Sequence, residues 1–89
     1  MRAVITVIGK DVVGILAKVS NECANCNVNI LEVTQSVLQD LFAMIMLVDI
    51  TSSTASVKDL SQTLSQIGSD MGLSIHVMHE DIFNSMHRI

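Results

Sequence analysis

Two stretches of this chain carry apolar residues at alternating steps of three and four, the spacing that gathers them on one face of an α-helix. The first runs through Val12, Leu16, Val19, Cys23 and Cys26, with Lys18, Ser20, Asn21 and Glu22 largely off the stripe. The second runs through Val57, Leu60, Leu64, Ile67 and Met71, opposite Lys58, Asp59, Gln62, Thr63 and Gln66. A helix with a single apolar stripe needs another layer to cover it, and the segments between the stripes read as strands. Ala3 to Ile8 is mostly β-branched and ends at Gly9. Val28 to Leu38 has a period of two, with Leu31, Val33, Gln35 and Val37 on one face and Glu32, Thr34 and Ser36 on the other. Gln39-Asp40 separates it from Leu41 to Ile50, a break short enough for an antiparallel hairpin. Leu73, Ile75 and Val77 alternate with Ser74, His76 and Met78 as a last strand. Asp11 is the expected N-cap of the first helix and Gly72 the stop of the second. The tail from Glu80 can form a short helix, with acids at its start and His87-Arg88 at its end, as the helix dipole prefers.

The order is therefore βαββαβ, an α+β chain. Covering both stripes with one sheet predicts the ferredoxin-like arrangement: a four-stranded antiparallel sheet with two helices on one face, plus a short C-terminal helical tail. Right-handed crossovers put the first and third strands in the centre. With 89 residues there is room for one domain over 1–89, its core about 3–79 and its tail 80–89. The unbroken apolar run from Leu41 to Val48 falls far short of the roughly 18 residues of a membrane span.

Charge narrows the partners. Five basic against nine acidic residues give a net charge of −4, with no basic cluster for phosphates. Phe42 and Phe83 are the two aromatics, too few for a platform on which bases could stack, so no nucleic acid is expected as a direct partner. A composition 49% hydrophobic and 16% charged is richer than so small a monomer needs, which predicts a homo-oligomer, a dimer in the first place. No signal-like segment follows Arg2, and the two cysteines are expected as free thiols in the cytoplasm.

Few residues suggest chemistry. Cys23 and Cys26 have redox or metal spacing, but both fall at the far end of the first helix on its apolar stripe, where two small core side chains are the simpler reading. His76 and His79 lie three apart on a predicted strand and so point to opposite faces; with His87 they carry no assigned role, and no metal or cofactor is expected. Met44 and Met46 share one strand face as packing residues, and the strand's other face calls for a further layer, such as a second subunit. Gly9 and Gly14 bracket a loop that leads into the first helix. Ile15-Leu16 stand where a phosphate loop needs Lys and Ser or Thr, yet the amides of such a turn can still hold a carboxylate. Neither a catalytic triad order nor a paired-carboxylate cleft is visible, so no enzymatic activity is expected.

The segments Val4-Ile5-Thr6-Val7-Ile8-Gly9-Lys10-Asp11, Val13-Gly14-Ile15-Leu16-Ala17-x-Val19-Ser20 and Asn27-Val28-Asn29-Ile30 strongly resemble the ACT domain, a βαββαβ module that binds amino acids and other small effectors in metabolic regulation. The resemblance covers residues 3 to about 79. Gln35, the Leu41–Asp49 strand and the tail Ile82-Phe83-Asn84-x-Met86-His87-Arg88-Ile89 are similar to the stand-alone single-ACT proteins of bacteria and archaea, uncharacterised as a group. What the resemblance implies is a ligand lodged where two domains meet. Asp11, Val12, Val13, Gly14, Ile15 and Leu16 would line one side, and Asn29 and Ile30 the other. The expected function is a non-enzymatic regulatory module that binds a small effector, an amino acid in the first place, at an oligomer interface. The alternative is a protein–protein interaction module that binds no metabolite and acts through its sheet face or C-terminal tail.

Overall fold

The computed structural model describes residues 1–10 and 14–86 and, of Leu38, the backbone alone. Its elements are β1 (Arg2–Gly9), α1 (Ile15–Asn25), β2 (Asn29–Leu38), β3 (Leu41–Asp49), α2 (Val57–Met71), β4 (Ser74–His79) and α3 (Glu80–Met86). The sheet order is β2-β3-β1-β4, every neighbouring pair antiparallel, with β1 and β3 central as the crossover rule requires. Register explains which residues meet the helices. Ala3, Ile5 and Val7 stand opposite Val48, Met46 and Met44, and with Phe42 and Ile75 these form the core that α1 and α2 cover. Val4, Thr6 and Ile8 stand opposite Leu47, Ile45 and Ala43 on the other, outer face.

Helix α2 follows its sequence pattern closely. Leu60, Leu64 and Gly68 are its buried residues. Ser56 caps its start, its hydroxyl accepting from the Asp59 amide at 3.1 Å. Gly72, at φ 73°, ends it in the left-handed conformation that a Cβ would oppose, and the Leu73 amide returns to the Gly68 carbonyl at 2.7 Å. Losing the cap by Ser56→Ala is expected to lower stability by about 1 kcal/mol, read as a lower urea midpoint at unchanged slope.

Helix α1 departs from its expected frame. Gly14, not Asp11, occupies the capping position, and Asp11, Val12 and Val13 lie outside the described residues. Starting the helix at Ile15 makes Ile15, Val19 and Cys23, four apart, the buried stripe, and Leu16 turns outward at 39% exposure. Cys26 sits just past the helix end and packs partly buried against the core.

Strand β2 also departs from simple alternation. A register shift between Ile30 and Glu32 leaves Leu31 as an extra, unpaired residue, a β-bulge. Ile30 therefore shares the helix-side face with Val33, Gln35 and Val37. The hairpin to β3 turns at Gln39-Asp40, with Gln39 at φ 56°.

Candidate functional site

The start of α1 is one side of the expected ligand site. Its first amides point out of the helix without intrahelical acceptors, as at every helix N-terminus. Gly14 supplies the sharp entry at φ 76°, a conformation that only a residue without Cβ adopts freely. Among the described residues no side chain caps this helix, and its first turn holds no acidic residue. Helix α2 has both, in Ser56 and Asp59. The partial positive charge at the head of α1 is thus not answered by its own first turn. Ile15 is buried there, and Gly14 and Leu16 are exposed. Of the residues expected on this side of the site, these three are described.

The other expected half lies elsewhere. Asn29 opens β2 opposite Asp49, which in turn pairs with Arg2 at the start of β1. Gly9, which leads toward Gly14, is at the opposite end of β1. Seven residues at about 3.3 Å each separate the two ends, so within one chain Asn29 lies some 23 Å along the sheet from Gly9, and the eleven residues of α1 set its head about 16 Å from its end beside β2. Asn29 is exposed, whereas Ile30, facing the helix side opposite Val48, is half-buried against the core. The preceding Asn27 has a structural task. At φ 58°, its side-chain amide donates to the Ser52 carbonyl at 3.0 Å and fixes the entry into β2. Close by, Asp49 Oδ1 accepts from the Thr51 hydroxyl at 2.6 Å and the Thr51 amide at 2.9 Å, and these bonds hold its carboxyl below the usual carboxylate range.

The cysteines are poorly placed for redox chemistry. Burial first, and then the nearby Cys26 and Glu22, push the Cys23 thiol up to about 11, which suppresses the reactive thiolate. Cys26 is raised as well, by burial first and then by Glu22, whose carboxylate accepts from its thiol at 3.7 Å. His76 and His79 are both within β4, opposite Thr6 and Ala3, and so face opposite sides of the sheet; His87 lies outside the described residues. Among the described residues no three His, Cys, Asp or Glu side chains gather closely enough to hold a metal ion. No helix is long and apolar enough there to cross a membrane.

A second concavity escaped the sequence pattern. Helix α3 turns back over the outer face, tied by Arg2, whose guanidinium donates to Glu80 Oε1 at 2.9 and 3.0 Å. Between α3 and the sheet runs a mostly apolar groove of about 410 Å³, lined by Thr6, Ile8, Ala43, Ile45, His76, Met78, Phe83 and Met86. The apolar spacing Ile82, Phe83, Met86 and the opposite charges of Arg2 and Glu80 were its only traces in the sequence.

With this geometry in view, the likeness to known proteins is informative. The ACT domain family profile matches residues 2–78. A UPF0237 protein of Methanopyrus kandleri is 47% identical over 88 residues, covering 99% of this chain and 98% of its own. A UPF0237 protein of Clostridium perfringens is 49% identical over 89 residues, with both chains covered completely. Among solved structures, an ACT domain protein from Streptococcus pneumoniae superposes with a TM-score of 0.80 at 32% identity, covering 93% of each chain. A formyltetrahydrofolate deformylase from Pseudomonas syringae contains the same fold in 27% of its length, with a TM-score of 0.77 at 22% identity over 88% of this chain. By profile, by full-length relatives in archaea and bacteria and by structure, the chain belongs to the ACT domain family.

Proposed function

We propose that this protein is a non-enzymatic regulatory module that binds a small amino-acid effector between two of its own copies. The observation that carries the reading is the head of α1: a left-handed glycine entry and, among the described residues, no side-chain cap and no acid in the first turn, which together favour a carboxylate. Membership of the ACT family supports the ligand class.

The separation of the two half-sites explains why two copies are needed. β2 is an edge strand of ten residues, with Val33 and Val37 exposed on it. Such an edge invites a partner strand. Antiparallel pairing of β2 with the same strand of a second copy reverses one sheet against the other. The partner's β2 start, with its Asn29 and Ile30, then lies at the end of the sheet that carries Gly14, Ile15 and Leu16. The α1 amides would take the carboxylate, the Asn29 oxygen the ammonium group, and Ile30 the apolar part of the ligand. Asp11, Val12 and Val13 would complete the loop side. Effector binding would then stabilise one pairing of the copies over others, which is how such a module reports a metabolite.

Calorimetric titration of each of the twenty amino acids into the purified protein tests this. Heat and a raised melting temperature are expected for at least one; silence from all twenty contradicts the reading. A second reading, an interaction module without a metabolite, draws on the exposed apolar outer face, with Ile45 at 42% and Met86 at 65% exposure. Under it, truncation before Ile82 abolishes partner capture and no amino acid gives heat.

A further inference from the structure

The groove between α3 and the outer sheet face is enclosed by elements of this one chain, and its lining is more selective than a plain apolar surface. Its floor is two cross-strand rows. In one, Ile45 of β3, Thr6 of β1 and His76 of β4 stand side by side; in the other, Ala43 stands opposite Ile8. Met78 of β4 and Phe83 and Met86 of α3 complete it. The volume of about 410 Å³ falls within the roughly 300–1,000 Å³ of small-molecule sites. Crossing from β3 to β4 spans two strand spacings, about 10 Å, the length of a phenyl ring carrying a short chain. The apolar floor is unfilled, since Ile8 and Ile45 keep 45% and 42% exposure. The roof is adaptable: α3 buries none of its own residues, and two of the lining side chains are flexible thioethers.

Two polar groups interrupt this lining, and they are neighbours. Thr6 is half-buried on the central strand β1, and His76 stands directly opposite it on β4. Among the described residues neither side chain has a hydrogen-bond partner. Opposed side chains on an antiparallel pair bring their Cβ atoms to about 4.5–5.5 Å, so a single ligand group meets both. A hydroxyl and an imidazole N–H are two donors, and an ionised carboxylate is the group that accepts from both. No Asp or Glu lines the groove among the described residues, and Glu80 at the start of α3 is held by Arg2. A carboxylate therefore meets no like charge in the lining, and an ammonium group finds no ionic partner there.

We propose that the groove under α3 binds a small apolar monocarboxylic acid that lacks an amino group, its carboxylate on Thr6 and His76 and its apolar body on Ile8, Ala43 and Ile45. The site is on the sheet face opposite α1 and does not rest on the effector reading.

The test uses 3-phenylpropanoate as the probe, titrated into the isotope-labelled full chain and followed by amide resonances. Saturable shifts are expected at Thr6, Ile45, His76 and Phe83, and none from Gly14 to Leu16. The uncharged 3-phenylpropanamide, of the same shape, should bind about tenfold more weakly, and phenylalanine should bind there at least as weakly as the amide. Thr6→Val keeps the shape and removes the hydroxyl, and should reduce the acid to the affinity of the amide. Ala43→Leu fills the floor and should abolish binding of both, with circular dichroism to check folding. Absence of saturable shifts at Thr6 and His76 in the wild type overturns the proposal. So does equal affinity for the acid and the amide, or for the acid and phenylalanine, and both comparisons need no variant. Gly14→Val keeps the two readings apart: it should lose amino-acid heat while binding 3-phenylpropanoate as the wild type does.

Discussion

Gly68→Val is expected to lower stability by about 3 kcal/mol, nearly the whole of the lower end of the roughly 4–13 kcal/mol that a chain of this length holds. Gly68 is buried in α2 where the helix crosses close to β4. A Cβ there would stand 2.8 Å from the Leu73 carbonyl oxygen and 2.9 Å from Ile75 Cγ1. The isoleucine can turn aside, but the carbonyl belongs to the backbone that enters β4. Relieving the contact therefore means lifting α2 off the sheet, away from the core built around Leu60 and Leu64. Gly68→Ala separates the effects. Alanine gains about 1 kcal/mol of helix propensity, yet the same Cβ meets the same oxygen, so a net loss of about 1 kcal/mol is expected. The melting temperature should fall by about 4–8 °C for alanine and by 12 °C or more for valine. Equal or higher stability of Gly68→Ala would contradict the close approach.

The second large effect is at Gly14, and its cause is different. Nothing lies within 4 Å of a Cβ built there, so a side chain meets no obstacle. What opposes it is φ at 76°. Gly14→Val should cost about 2 kcal/mol through backbone strain, which the head of α1 can relieve by unwinding. Gly14→Asn should cost little, since asparagine tolerates the left-handed region. Amino-acid binding is expected to follow the same order, near wild type for Asn and lost for Val. If Val binds as well as wild type, the head of α1 is not the carboxylate site.

Much of this fold could be read from the sequence, because each signal is local. The α2 stripe, its Ser56 start and its Gly72 stop are all written in side chains a few residues apart. The α1 frame was harder, since Val12, Leu16 and Val19 fit a stripe as well as Ile15, Val19 and Cys23 do. Only the left-handed Gly14 decides between them. The bulge at Leu31 adds a residue without altering composition, so alternation carried through it separates Ile30 from Val33, which the register puts on one face. The candidate site posed a different problem. Resemblance picked out the head of α1 and the start of β2 separately, and their separation follows from topology: a crossover makes β1 and β2 parallel, which puts the end of one far from the start of the other. The groove under α3 was least visible, because what covers the outer face depends on where a seven-residue tail helix folds back.

That separation also supplies the most direct test. Gly14→Val and Asn29→Ala each spoil every site in a pair made of identical variant copies. In a mixed pair one site draws both of its halves from intact segments. Co-refolding equal amounts of the two variants and titrating the amino acid that gives heat with the wild type should recover binding at about a quarter of the wild-type sites, with wild-type affinity. No recovery on mixing, with both variants folded and paired, would mean that the effector is held within a single chain or not at all.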